Sequence, residues 1–454
     1  MTNVKENKMG VMPVKELIIN MSLPMMISML VQALYNVVDS IFVAQLSESA
    51  LTAVSLAFPL QNLMIAVGSG TGVGINAILS RSLGEKNFKR ANKTASTALV
   101  LAFFSYLVFL LVAIFGAKPF IYSMTRDAEV SSQAITYLSI VMDASIGVFF
   151  QITFERLLQS TGRTVFSMIT QLTGAVINLI LDPILIFGLC GLPKLGIAGA
   201  ALATVIGQCV AAVMGLVMNI RNNHEISFGV KDMTHPNFEI IGHIYLIGIP
   251  SILMMSIGSV MCFLMNMILL TFSKTAATVF GAYFKLQSFF FMPVFGMNNG
   301  MIPILAYNYG ARNKKRIDEA LSFALKLAVC IMLVGTLTFE VAPELLLSMF
   351  KPSSHFLSLG VRALRIIAIH FPLAAIGIVC GSIFQAFGKS FYSLIVSLGR
   401  QLVVLIPAAY LLSLTGNVNN VWWSFCVAEI MSLILSVIFF KKIYREEVKP
   451  LENR

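Results

Sequence analysis

The chain has 454 residues, of which 57% are apolar and 12% charged, and it carries a formal net charge of +11. The apolar share stands well above the ~45–50% of soluble domains, which excludes an ordinary cytosolic protein, and so few charges exclude a phosphate-tracking nucleic-acid surface. At roughly 20 apolar residues per helix, the surplus fills about a dozen bilayer spans.

The polar opening, MTNVKENKMGVMPVKE, runs directly into a full-length apolar segment without a small-residue cleavage site, so the first span is expected to be retained. That span contains Pro24, where a missing backbone hydrogen bond predicts a hinge. Further along it, Gln32, Tyr35, Asn36 and Asp39 fall at i, i+3, i+4 and i+7, a single helical stripe expected to line a substrate cleft. An ionisable side chain at bilayer depth costs about 2.5–3.5 kcal/mol, so Asp39 needs a partner or a task. The second span carries Gly68, Gly70, Gly72 and Gly74, read as a close helix contact; no GK[ST] follows, which disfavours a phosphate loop. In the fourth span Asp143 either joins the same site or pairs with a neighbour, and Glu155 and Arg156 lie near a span end where long side chains reach water.

The fifth span places Gln171, Asn178 and Asp182 on one face, at i, i+7 and i+11, with Pro183 next. A carboxylate beside an amide and near a second carboxylate is suited to holding a proton or a cation. The competing reading is that each aspartate only accepts hydrogen bonds from neighbouring helices. Residues 221–243 form the longest polar stretch, read as a cytoplasmic linker, and its His224, His235 and His243 have no metal-ligand spacing. Beyond it Met254, Met255, Met261, Met265 and Met267 make a methionine-rich wall; Met261 and Met265 are candidates to line the cleft, with interface filler as the plain alternative. Lys285, Arg400 and Glu429 are isolated charges in later spans. The six cysteines are scattered without a CxxC pair and read as small hydrophobes.

Basic residues alternate between loops. The N-terminal segment (Lys5, Lys8, Lys15), the loop after the second span (Arg81, Lys86, Lys89, Arg90, Lys93), the one after the eighth (Arg312, Lys314, Lys315, Arg316, Lys326) and the tail (Lys441, Lys442, Arg445, Lys449, Arg454) are rich. The intervening loops are poor, which puts both termini in the cytoplasm and makes the span count even, twelve. Shifting the sequence by 226 residues without a gap aligns Pro24 with Pro250, Gln61 with Gln287, Gly70 with Gly296, Gly74 with Gly300, Gly84 with Gly310, Asn87 with Asn313, Gln159 with Gln385 and Gly162 with Gly388. The chain is therefore a duplication of a six-span unit. The expected fold is an all-α integral membrane protein: twelve transmembrane helices in two six-helix bundles related by pseudo-two-fold symmetry, with a central cleft. The expected domains are residues 1–220, the linker 221–243, and residues 244–454. The same shift maps Gln32, Tyr35, Asn36 and Asp39 onto Gly258, Met261, Cys262 and Met265, so any ion site belongs to the first copy.

In this duplicated frame, Pro24 and Asp39, the Gly70–Gly74 segment, RSLGEKN at 81–87, QSTG at 159–162, Asn178 with Asp182 and Pro183, and GIAGAALAT at 196–204 resemble the multidrug and toxic compound extrusion (MATE) transporters over essentially the whole chain. The resemblance implies an antiporter exporting cationic amphiphilic compounds in exchange for protons or sodium. It implies ion coupling by Asp39, Asn178 and Asp182 with Thr204 as a neighbour, and cleft contacts by Gln32 and Tyr35. The seventh and tenth spans lack the acidic residues of the NorM-like branch, which points to the DinF-like and MepA-like members. No cofactor and no metal is expected, apart from a Na+ that Asp39, Asn178 and Asp182 could hold. The expected partners are the lipid bilayer and small cationic substrates, without nucleic acid, for a monomer in a bacterial inner membrane. Two other readings stand beside this one. A flippase for lipid-linked or anionic cargo would want a cationic cleft, for which Lys285 and Arg400 are too few. A membrane-embedded enzyme would want catalytic spacing, and His370, Glu340 and Glu344 do not supply it.

Overall fold

The computed structural model describes residues 7–350 and 353–453, and every regular element among them is helical. Ten helices are long and apolar enough to cross a bilayer, and two bent helix pairs complete twelve spans. In the first copy these are Val14–Leu46, Glu48–Gly84, Phe88–Met124, the pair Ala128–Asp143 and Ile146–Ser160, Thr164–Phe187, and Ile197–Asn222. In the second they are Phe238–Leu270, Lys274–Gly310, Lys314–Val341, the pair Ser354–Ala368 and Phe371–Ala386, Ser390–Ser413, and Val418–Leu451. The second, third and eighth helices are 37 residues long, about 55 Å at 1.5 Å per residue, so their ends pass beyond the ~30 Å hydrocarbon core. Lys326, expected in a loop, lies inside the ninth helix.

The duplication is written into the local chemistry as well as the order of elements. The bent fourth and tenth spans turn by 48° and 47°. Ser47 caps the second helix by accepting from Ala50 N at 3.0 Å, and Ser273 caps the eighth by accepting from Ala276 N at 3.1 Å. Asn87 and Asn313 cap the third and ninth in the same way, each satisfying backbone donors that a helix start leaves without partners. Lys86 and Arg312, again 226 apart, both turn the chain in the left-handed region at φ 56°.

Packing divides the chain into two units. The first contains residues up to Lys8 together with Ile27–Ile252; the second contains Met9–Met26 and the chain from Leu253 onward. The leading half of the first span therefore packs in the second unit, and the leading half of the seventh packs in the first, so the packing boundary is drawn elsewhere than at the 221–243 linker. Both helices change unit two residues after a proline, Pro24 and Pro250. The glycines explain why. A Cβ on Gly70 would stand 2.5 Å from Ile252 Cγ1, and one on Gly296 would stand 2.6 Å from Met25 O. Gly74 meets the Ile244 backbone, and Gly300 meets Ser22, at similarly close range. Only a bare backbone admits a helix that near. The linker ends earlier than the sequence suggests: the seventh helix starts at Phe238 because Asn237 Oδ1 accepts from Glu239 N (2.9 Å) and Ile240 N (3.4 Å), which makes His243 helical.

Within the first unit, Phe109, Tyr137 and Phe149 share a core with alanines of the second, third and sixth spans. In the second, Phe339 and Phe371 meet edge-on at 5.2 Å, as do Phe291 and Phe371. Large apolar side chains such as Phe115 (73% exposed) cover the outside, as a surface facing lipid requires.

Gly74→Val is expected to destabilise the first unit by at least ~1–3 kcal/mol through overpacking, seen as a lowered melting temperature in detergent. Gly281→Ala, at a position with nothing within 4 Å, should leave it unchanged.

Candidate functional site

Span five is amphipathic in an unusual sense: its buried face is the polar one. Ser167, Thr170, Gly174, Asn178 and Asp182 are buried at steps of three and four, while Val176 and Ile180 are exposed. Small residues on the sixth span let it close on this face. A Cβ on Gly207 would stand 2.7 Å from Gly174 O and 3.2 Å from Asn178 Cβ, and one on Gly199 would stand 2.5 Å from Leu185 O. The consequence is that Thr204 reaches Asn178. Asn178 Nδ2 donates to Thr204 Oγ1 at 3.2 Å, and Thr204 Oγ1 donates back to Ala200 O at 3.1 Å.

The trailing half of the first span completes the cluster. Asp39 and Asp182 bring their carboxyl groups within hydrogen-bonding reach of each other, and the Tyr35 side chain lies near Thr204. Asp182 is fully buried, Asn178 is 2% exposed and Thr204 4%. Asp39 Oδ1, Asn178 Oδ1 and both Asp182 oxygens have no donor among the described residues. Two carboxyl groups at that separation need a proton between them or a cation beside them, because paired like charges in a low dielectric cannot both stay bare. The oxygens of Asp39, Asp182, Asn178, Thr204 and Tyr35 form a hard, all-oxygen donor set that a Na+ ion fits. Among the described residues no group of three His, Cys, Asp or Glu side chains gathers to hold a metal.

The polar stripe continues along the first span. Gln171 Nε2 donates to Gln32 Oε1 at 3.1 Å, and Gln32 Nε2 to Asn36 Oδ1 at 3.4 Å, so Gln32, Asn36 and Gln171 form one row within the first unit. Other expected site residues have different surroundings. Asp143 is exposed at the bend of the fourth span. Met261 and Met265 are buried in the second unit, at 6% and 0% exposure. Lys285 is exposed. Glu155, expected at a watery span end, is buried and accepts from Gln151 Nε2 at 3.0 Å. The structure adds Tyr137, which is 2% exposed, lies within electrostatic range of Asp39 and has Gln61 as a neighbour. Gln61 carried a signal in the sequence, since it is in register with Gln287, which accepts from Tyr283 at 2.6 Å. Tyr137 carried none.

Twelve apolar spans in two units, with a carboxyl pair and a polar row inside one of them, define a membrane transporter. The MatE family model matches residues 24–184 and 250–411, once on each copy, and the chain belongs to this family of multidrug efflux transporters, which are not enzymes. The multidrug export protein MepA of Staphylococcus haemolyticus is 28% identical over 422 residues, covering 92% of this chain and 91% of that protein. MepA of Staphylococcus aureus (strain MRSA252) is 26% identical over 432 residues, 94% and 93% of the two chains, and a MepA-like member fits these relatives. In fold, an outward-facing multidrug resistance MATE transporter of the MOP superfamily matches with a TM-score of 0.92 at 24% identity, over all of both chains.

Thr204→Val keeps the volume but removes the hydroxyl that accepts from Asn178. An unpaired buried polar group costs ~1–3 kcal/mol, so the melting temperature of the purified variant in detergent should fall. Thr204→Ser should keep the melting temperature of the parent chain.

Proposed function

We propose that this chain exports small cationic amphiphilic compounds across the bacterial plasma membrane, in exchange for protons or sodium ions, with both termini in the cytoplasm, and that the Asp39–Asp182 pair couples the two fluxes. The observation that carries this reading is the approach of two carboxyl groups, short of donors, inside one helical unit. Loaded with a proton or Na+, the pair holds the first span against the fifth. Unloaded, the two charges repel, and the first span yields where Pro24 interrupts its backbone hydrogen bonding. Gln32, Tyr35 and Asn36 ride on that same helix, so the ion's presence and the shape of the substrate row change together. A cationic substrate supplies the positive charge that the departing ion removes, which makes the exchange obligatory rather than incidental.

The energetics set the stoichiometry. One proton for one monovalent cation moves no net charge, and the proton gradient alone supplies about 1.4 kcal/mol per pH unit, a ten-fold substrate gradient. A second ion entering adds about 2.3 kcal/mol per 100 mV of inside-negative potential, a further roughly forty-fold.

Proteoliposomes loaded with ethidium separate the alternatives under proton and sodium gradients imposed one at a time. The gradient that drives uptake or release names the coupling ion. Asp39→Asn and Asp182→Asn are each expected to abolish the gradient-driven component while the protein still inserts. Undiminished, gradient-driven efflux by a well-expressed Asp39→Asn variant would remove the mechanism.

A further inference from the structure

The second unit contains a cavity of its own, about 120 Å³, reached by Asn298, Gly377, Gly381, Arg400, Ser432 and Ser436. The duplication shows how it arose. At the positions 226 residues before Gly377 and Gly381 stand Gln151 and Glu155, whose hydrogen-bonded side chains occupy the first unit. Glycine at both places leaves that volume open in the second. The charges have moved as well: Glu155 and Arg156 correspond to Gly381 and Ser382, while Arg400 and Glu429 replace Gly174 and Ala203.

Glu429 is 2% exposed. Its Oε2 accepts from Arg400 Nη1 at 3.4 Å, a long and single contact, and its Oε1 has no donor among the described residues. Oε1 lies 3.8 Å from the point a Cβ on Gly377 would occupy, Ser436 Oγ also 3.8 Å, and Ser432 Oγ 3.7 Å. Ser436 Oγ likewise lacks a partner and its residue is 1% exposed. Three oxygens, one of them anionic, thus converge on the space the glycine leaves. Span eleven departs from α-helical geometry at the same level, Gly399–Leu405 being a π-helix, a device that recurs at functional sites. The other titratable groups nearby are His370, whose Nδ1 faces Ile367 O, Tyr283, which donates to Gln287, and Cys426, whose thiol donates to Ile366 O.

We propose that this cavity is a recognition site for the N–H-bearing head of a cationic substrate, a primary ammonium or a guanidinium, and that Arg400 is a tethered competitor for the same carboxylate. A buried carboxylate oxygen without a donor is costly until a donor or cation arrives. A primary ammonium brings three donors to three acceptors, Glu429 Oε1, Ser432 Oγ and Ser436 Oγ. The volume admits a compact head with a water or two, each water taking ~30 Å³. Arg400, with its side chain 27% exposed and one long bond to Glu429, is free to withdraw when the ligand comes. The site separates protonated amines and guanidines from quaternary ammonium compounds, which offer no N–H. It rests on the reading of the chain as an exporter of cations, but not on the ion pair in the first unit.

The test measures equilibrium binding of n-butylammonium, guanidinium, butyltrimethylammonium and Na+ to the purified full chain in the Asp39→Asn background, where coupling plays no part. Butylammonium and guanidinium are expected to bind at least ten-fold more tightly than the trimethyl compound. Glu429→Gln should remove that preference, Ser436→Ala should weaken it several-fold without loss of folded yield, and Arg400→Gln should tighten binding. Equal binding of the methylated and unmethylated ions overturns the proposal. So does competition by Na+ at matching concentration, which would make this an alkali-ion site, and so does loss of binding in Arg400→Gln, which would make the arginine the ligand's partner. Failure here leaves gradient-driven dye efflux through Asp39 intact, so the two readings fall separately.

Discussion

A carboxylate oxygen without a donor cannot rest quietly inside a helical bundle surrounded by lipid, because neither water nor backbone is at hand to solvate it. In the first unit this cost is gathered at one place, where Asp39 and Asp182 face each other and Asn178 keeps its carbonyl oxygen free. Everything around the pair serves the approach. Glycines in the fifth and sixth spans bring two backbones together, Thr204 fixes the Asn178 amide, and Tyr35 and Tyr137 lie nearby. Such a cluster calls for something positive in it, which is what the proposed coupling role requires.

The two copies show which features of the unit are scaffold and which are chemistry. Caps at Ser47 and Ser273, left-handed turns at Lys86 and Arg312, and bends of 48° and 47° survive in register. The ionisable groups inside the spans do not. Asp39 and Asp182 correspond to Met265 and Ala408, and the Glu155–Arg156 neighbourhood has dissolved into Gly381 and Ser382 while new charges appear at Arg400 and Glu429. Geometry that packs helices is thus retained, and charge is free to relocate on it, so that one architecture carries two different interiors.

Much of this was legible in the residues. Twelve spans follow from hydropathy and length, the duplication from glycines and prolines in one register, and the polar faces of the first and fifth spans from helical spacing. Spacing fixes which residues share a face of one helix; it does not say which helix that face meets. For that reason spacing does not foretell that Asp143 stands exposed at a bend, that Met261 and Met265 are buried in the second unit, or that Tyr137, an unremarked residue of the fourth span, lies near the carboxyl pair. The end of the linker at Asn237 depended on a side chain capping its own helix, a signal hidden in a polar run. The division of the first and seventh helices between units had no local signature beyond the prolines, because the glycines that receive each half-helix lie far away in sequence, on the other copy.

That division has a consequence for how the chain comes into being. Severed between the sixth and seventh helices, the polypeptide would yield two fragments, each missing the piece of helix that seals its own glycine face and each carrying the piece that belongs to the other. Neither half is a finished body until its sibling is made. A lone ancestral copy faced the same incompleteness, and could close only by folding its first helix back at the proline or by trading that segment with a twin, the arrangement of a domain-swapped dimer.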